Sequence, residues 1–261
     1  MIVTTDVEPD EHTIAKAKRL AADLDGVYAP RGTNTLSKIM QHYHDSQLIK
    51  VTAKEIRWVQ KGSPDFFFHP SMSAIRVLRL ARGERDSLLQ ATEILPGDQI
   101  VDCTMGMASD AIVMSYAAGS QGRVTALESS RLIYTLVSEG LRVYDEAEPD
   151  VTEAMRRIQC LNIHHLDYLR SLPDQSVDVV YFDPMFRQPE MESAALNPLR
   201  SMANPDSISS ESVEEAVRVA RKRIVMKEKP SSGEFQRLGF DQVIRTGNKT
   251  AYGVIRKDES S

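Results

Sequence analysis

The stretch Val177 to Arg187 reads Val-Asp-Val-Val-Tyr-Phe-Asp-Pro-Met-Phe-Arg. A largely apolar run with little alternation is what a central strand, buried on both faces, looks like in sequence. Pro184 cannot continue the hydrogen-bond ladder, so the chain leaves the sheet there. In an open α/β sheet, ligands gather outside the carboxyl ends of the strands, which would deliver Asp183, Pro184, Met185 and Phe186 into a cleft. An aspartate oxygen and a carbonyl in a proline turn can both accept hydrogen bonds from an NH2 group, and Phe186 can stack on a flat ring. That chemistry suits an exocyclic amine on a nucleobase. Asp-Pro can equally end a strand while Phe186 packs in the core.

Residues from Gln99 on alternate strand and helix. Strands are expected at 99–104, 123–128, 158–163, 177–183 and 223–227, and helices at 107–118, 130–144, 165–171 and 210–220. Segments 240–246 and 250–256, joined by Gly247-Asn248, read as a closing hairpin. Repeated βαβ units predict a doubly wound, Rossmann-like parallel sheet with right-handed crossovers, and the hairpin adds an antiparallel strand. Residues 1–95 read as a small α/β lobe ahead of a main domain at 96–261. Its strands are expected at 2–4, 26–28, 48–52 and 55–60, with helices at 10–22, 35–44 and 72–82. Within it, Phe66, Phe67 and Phe68 form either a strand end wedged between lobes or an aromatic lid over a cofactor or base.

At 261 residues, 41% hydrophobic and 26% charged, the composition is that of an ordinary globular chain. No apolar run approaches the ~20 residues of a membrane span, so no membrane partner is expected. The amino terminus lacks a signal-peptide pattern, and Cys103 and Cys160 lack metal-ligand spacing. Reduced thiols in the cytoplasm, with no metal, are the expectation. A net charge of −5 argues against a broadly basic nucleic-acid clamp. Any basic footprint must be local, for example Arg76, Arg79, Arg82 and Arg85 or the cluster from Arg218 to Lys229, although solvated helix faces explain such runs as well.

The first strand of the main domain ends in Asp102-Cys103-Thr104-Met105-Gly106-Met107-Ala108-Ser109-Asp110. Gly106 would let backbone pass close to a ligand, and Ser109 or Asp110 would cap the following helix. Glu128, at the end of the next strand, suits the vicinal hydroxyls of a ribose. A dinucleotide would ask for Gly-x-Gly-x-x-Gly, and Asp102 and Asp110 would repel its phosphates. S-adenosyl-L-methionine has no phosphate and a cationic amine that Asp102 would attract, so it is preferred over a nicotinamide dinucleotide. Asp167, opening a helix after the third strand, could accept from an adenine amine or act only as a helix cap.

With these residues assembled, the stretch from about Gln99 to Arg256 resembles class I S-adenosylmethionine-dependent methyltransferases. Asp183-Pro184-Met185-Phe186 is similar to the Asp/Asn-Pro-Pro-Tyr/Phe signature of those that methylate amino groups of nucleobases. Val101 to Ala111 and Val179 to Phe186, with Arg223 to Lys227 and Pro230, resemble the RsmJ family, which methylates the N2 of a guanine in small-subunit ribosomal RNA. In that family a second glycine usually stands where this chain has Ala108. Glu228-Lys229 interrupts its Lys-Arg-Pro, and Arg187 replaces a proline. The resemblance implies a seven-stranded methyltransferase sheet and an RNA partner. It implies a cofactor site drawn from Asp102, Thr104, Gly106 and Met107, from Ser109, Asp110, Glu128 and Ser129, and from Leu166 and Asp167. Asp183, Pro184 and Phe186 would hold the methyl acceptor. A methyltransferase for a small amine or protein, and a cofactor-binding protein without catalysis, are the alternatives.

Overall fold

The computed structural model describes residues 1–145, 148–184, 207–245 and 250–257, and these divide into two compact units. The first holds Met1–His69 and Arg131–Asp145. Its elements are β1 (Ile2–Thr5), α1 (Glu11–Asp23), β2 (Val27–Tyr28), α2 (Leu36–His42), β3 (Gln47–Val51), β4 (Ile56–Gln60) and β5 (Phe66–Phe67). The sheet order is β2-β1-β3-β4-β5, with β1 parallel to β2 and β3 and the last two strands antiparallel. Asp10 starts α1 by accepting from Thr13 N at 2.6 Å, and the helix buries Ala17, Leu20 and Ala21. The helix Arg131–Val143, α6 in chain order, packs on β4 and β5. A Cβ on its Gly140 would lie 2.3 Å from Phe68 Cβ, so that close approach requires glycine. Burial alone would raise Glu139, yet Arg142, Arg19 and Lys16 around it bring it down to about 2.

This packing decides the three-phenylalanine segment. Phe66 and Phe68 are buried at 4% and 5% exposure, and the Arg57 guanidinium sits 4.3 Å from the Phe67 ring centroid. The segment is a core strand end of this unit, and the lid expectation is corrected: two of its three rings are already committed to the core.

The second unit runs from Pro70 to Ser130 and resumes with the described residues from 148. Two helices, α3 (Ser71–Ala81) and α4 (Ser87–Thr92), precede the sheet. Then follow β6 (Gln99–Asp102), α5 (Ser109–Ala118), β7 (Arg123–Leu127), α7 (Pro149–Arg157), β8 (Ile158–Leu161), α8 (His165–Ser171) and β9 (Val177–Phe182). The chain closes with α9 (Ser210–Val219), β10 (Ala220–Glu228), α10 (Glu234–Arg237), β11 (Gln242–Arg245) and β12 (Ala251–Arg256). The seven strands are ordered β11-β12-β10-β9-β6-β7-β8, and β12 runs antiparallel to β10 and β11. All six residues of β9 are buried, as a strand paired on both edges and covered on both faces must be. Strand order reverses between β6 and β9, the switch point at whose carboxyl edge ligands bind.

Residues 70–95, read from sequence with the amino-terminal lobe, lie in this second unit. The reason is α5, whose Ala111, Ile112, Val113 and Met114 are all buried on every side. A helix apolar all round needs cover on its outer face, and α3 and α7 supply it. Among the described residues no helix is long and apolar enough to cross a membrane. The expected turn at Gly247-Asn248 lies outside the described residues.

Candidate active site

β6 ends at Asp102, and the turn to α5 is tied to both neighbouring strands. Met105 N donates to Leu127 O (2.9 Å), Cys103 N to Tyr181 O (2.9 Å), and Asp183 N to Thr104 Oγ1 (2.5 Å). Gly106 has φ +48, and a Cβ on it would meet only Thr104 O, at 3.9 Å, so its left-handed backbone rather than lack of room selects glycine. Ala108 is also left-handed, at φ 58, and occupies the N-cap of α5 without a side-chain bond. Of Ser109 and Asp110, expected to cap or charge the start of that helix, neither caps it, and Asp110 is the acidic residue of its first turn. Position 108 is thus one where glycine would be the relaxed choice. Ala108→Gly is expected to change stability by less than about 1 kcal/mol, the relief of backbone strain offsetting a lost buried methyl. Ala108→Val should cost roughly 3 kcal/mol, because a β-branched residue is strained at positive φ. Urea denaturation of both variants checks this pair.

Glu128 follows β7 and is 9% exposed. Its Oε2 accepts from Gly106 N (3.2 Å) and its Oε1 from Ser130 N (2.8 Å), while Asn162 Nδ2 donates to the carbonyls of Glu128 (2.8 Å) and Ser129 (3.3 Å). Burial raises the Glu128 carboxyl, and the backbone donors only partly oppose that. Asp102 is 1% exposed. Its Oδ1 accepts from Thr104 N at 3.0 Å, and Oδ2 has no donor among the described residues. Burial, with repulsion from Asp110, Asp183 and Glu128, pushes it up to about 8 against the single Thr104 N–H. The buried Asp102 carboxyl has no cation beside it among the described residues.

At β8 the edge continues into α8, whose N-cap is His164, its Nδ1 accepting from Leu166 N at 3.3 Å. Asp167 is therefore not the cap and stands exposed in the first turn, beside the half-buried Leu166. His165 lies against Ser212 Oγ (3.1 Å) and the edge of Phe182, and burial followed by repulsion from His164 brings it down to about 4. It is a neutral packing residue at physiological pH.

Asp183 and Pro184 leave β9 beside Lys227 of β10, in the register that pairs Phe182 with Met226. Lys227 Nζ donates to Asp183 Oδ2 (2.8 Å) and to Asp110 Oδ2 (3.0 Å). Asp110 also accepts from Tyr181 Oη (2.7 Å) and Arg76 Nη1 (2.5 Å), and Arg76 forks onto Asp86 at 2.8 and 2.9 Å. Burial would raise Asp110, but Lys227 and Arg76 hold it well below the usual carboxylate range. Burial pushes Asp183 up to about 6 against the pull of Lys227, with Asp110 adding to the rise. Asp110, expected to contact the cofactor, instead has both oxygens occupied within the protein. Sequence reading misses Tyr181 as a site residue and takes Arg76 and Lys227 for possible nucleic-acid contacts. Arg79 pairs with Glu84, Arg218 with Glu215 and Asp174, and Arg221 with Asp178. Met185 and Phe186 lie outside the described residues.

Asp110→Ala leaves Arg76 and Lys227 without their shared carboxylate and is expected to cost about 3 to 5 kcal/mol of unfolding free energy. Because the folded-state pKa of Asp110 is depressed, its contribution is present above the ordinary aspartate value and is lost as pH falls below about 4. Urea melts at pH 7 and pH 3 should show the gap between wild type and variant closing at the lower pH.

Among the described residues no group of three or more His, Cys, Asp or Glu could hold a metal, and both cysteines are free thiols.

A family model described as "Putative SAM-dependent methyltransferase" matches residues 38–254. Over 255 residues the chain is 37% identical to the uncharacterized protein YpiP of Bacillus subtilis (strain 168), spanning 98% of this chain and 99% of that one. Ribosomal RNA small subunit methyltransferase J of Mannheimia succiniciproducens is 33% identical over 141 residues, 52% of this chain and 53% of that one. The solved structure of the SAM-dependent methyltransferase NGO1261 from Neisseria gonorrhoeae aligns with a TM-score of 0.65 at 15% identity, over 100% of this chain and 98% of that chain, which is a likeness of fold. The matched residues contain the switch-point edge, and the chain belongs to the SAM-dependent methyltransferases, with S-adenosyl-L-methionine as its cofactor.

Proposed function

We propose that this methyltransferase acts on the exocyclic amine of a nucleobase, N2 of a guanine in small-subunit ribosomal RNA, in the cytoplasm. One observation carries the reading. Asp183, at the carboxyl edge of β9 and with 29% of its side chain exposed, gives Oδ2 to Lys227 and keeps Oδ1 free of donors among the described residues, immediately before Pro184. The partial match to curated small-subunit RNA methyltransferases supports the same acceptor class.

The cofactor residues follow from chemistry. Asp102 suits the methionyl ammonium, since it is buried and has no cation of its own. Glu128 with Ser129 suits the ribose hydroxyls, the backbone of Thr104 to Ser109 the carboxylate, and Asp167 with Leu166 the adenine. The bound cofactor supplies an electrophilic methyl on a sulfonium. Asp183 Oδ1 accepts from the acceptor NH2 and turns the nitrogen lone pair toward that methyl, at a working separation of ~3 to 3.5 Å. The methyl would leave the sulfonium for the nitrogen, the S–C electron pair staying on sulfur, and the Asp183 carboxylate would stabilise the positive charge left on nitrogen. Asp183 then takes the surplus proton. Phe186 would stack on the base.

A small-amine or protein acceptor is the second reading, favoured by the net charge of −5 and by the pairing of most candidate arginines with carboxylates. Tritium transfer from labelled cofactor to ribosomal subunits, taken from cells lacking the protein, separates the two. Label in small-subunit RNA supports the proposal. Label confined to protein or to added small amines replaces it with the second reading.

A further inference from the structure

Lys227 sits between two carboxylates with different surroundings. Asp110 is secured on its other side by Arg76 and Tyr181, whereas Lys227 is the one cation bonded to Asp183 among the described residues. We infer that Lys227 is a positioning residue for methyl transfer: by holding Asp183 Oδ2 it keeps that carboxylate ionised and fixes its rotamer, so that Oδ1 faces the acceptor amine. The inference rests on the role given to Asp183 above and adds the device that makes that role possible.

The neighbours of Asp183 make Lys227 necessary. Asp110 on α5 and Asp102 on β6 both repel charge on Asp183, while Tyr181 on β9 and Tyr252 on β12 are phenols held neutral by burial first and by Asp110 and Asp183 after it. Arg76 stands behind Asp110 and is spent on it and on Asp86. Burial would discharge Lys227, but Asp183 and Asp110 hold it well above the ordinary lysine value, so it remains an ammonium throughout the working range. Without that ammonium, Asp183 would face two carboxylates with no counterion and would protonate near neutrality. A protonated Asp183 could neither accept the amine hydrogen bond through a charged oxygen nor take the proton that the methylated nitrogen sheds. Arg76 and Asp110 then serve as the anchor that keeps Lys227 in place, which accounts for a buried ion chain at this edge of the sheet.

The test pairs Lys227→Met with Lys227→Arg and, should the methionine variant not fold, with Lys227→Gln. The first readout needs no acceptor: a carbon NMR titration of the Asp183 carboxyl in the protein alone. Its midpoint should rise by at least about 1 pH unit in Lys227→Met or Lys227→Gln and stay near wild type in Lys227→Arg. The second is turnover with RNA. At pH 6 kcat should fall about 5-fold or more, the KM for S-adenosylmethionine should change less than about 3-fold, and the acidic limb of the kcat profile should move to higher pH. Lys227→Arg should restore most of the turnover. An unmoved Asp183 midpoint in a folded neutral variant overturns the inference, as does unchanged kcat. If wild type transfers no methyl to RNA while the midpoint moves as expected, the acceptor assignment fails and the hold of Lys227 on Asp183 stands.

Discussion

Asp183→Ala is expected to lower methyl transfer by about 10²- to 10³-fold while the Kd for S-adenosylmethionine stays within about 3-fold of wild type. The size follows from losing the one acceptor aimed at charge that develops only in the transition state. The selectivity follows from position: Asp183 lies at the end of β9, whereas the carboxylates assigned to the cofactor, Asp102 and Glu128, end β6 and follow β7. The variant should remain folded, because Lys227 keeps its bond to Asp110 and the Thr104 hydroxyl keeps the backbone N–H at position 183. Asp183→Asn retains one acceptor oxygen without the charge and should fall between, at roughly a 10-fold loss. Single-turnover rates with saturating cofactor are the direct measure. Turnover within about 3-fold of wild type in Asp183→Ala would remove Asp183 from the chemistry.

Asp102→Asn should act in opposite directions on stability and on binding. With its carboxyl raised to about 8 in the folded protein, Asp102 favours folding in its protonated form below the ordinary aspartate value. That contribution is lost progressively as pH rises from about 4 to 8. An asparagine carries no such cost, so the ligand-free variant should be more stable than wild type by a few kcal/mol at pH 8 and nearly equal to it at pH 4. S-adenosylmethionine binding should weaken by about 10²-fold or more, because the buried counter-charge for its ammonium is gone. In wild type, ionising Asp102 on binding releases a proton, so calorimetry at pH 7 in buffers of different ionisation enthalpy should report close to one proton released. Equal stability at pH 8 together with unchanged affinity would contradict both the burial and the role of Asp102.

Much of the second unit is legible in sequence because its strands are apolar over several consecutive residues and its helices are periodic. Val177 to Phe182 needs no partner to be recognised, and every one of its residues is buried. The helices α4, α7 and α10 escape a sequence reading for different reasons. α4 and α10 span one to two turns, too short for periodicity to register. α7 carries readable signals, with Pro149 in its first turn, Val151, Ala154 and Met155 on one face and Arg156-Arg157 at its end, although it is only nine residues long.

At the site, Asp102, Gly106 and Glu128 can be placed because each follows directly from a strand end. The ion chain cannot. Arg76 and Asp110 are 34 residues apart, and Lys227 reaches Asp183 only through the register of adjacent parallel strands. A basic residue in sequence looks the same whether it faces water or a buried carboxylate, so Arg76 is open to reading as a surface charge. Asp110 is assigned to the cofactor for the same reason: its place in the helix's first turn is visible in sequence, and the direction of its side chain is not.

The measurement that bears most directly on the proposed activity is nucleoside mass spectrometry of small-subunit ribosomal RNA from cells with and without this protein, and from cells carrying only Asp183→Ala. One N2-methylguanosine is expected to be lost in the deletion, absent or much reduced with Asp183→Ala, and restored by the wild-type chain. Identical modification in all three would contradict the assignment of ribosomal guanine N2 as the methyl acceptor.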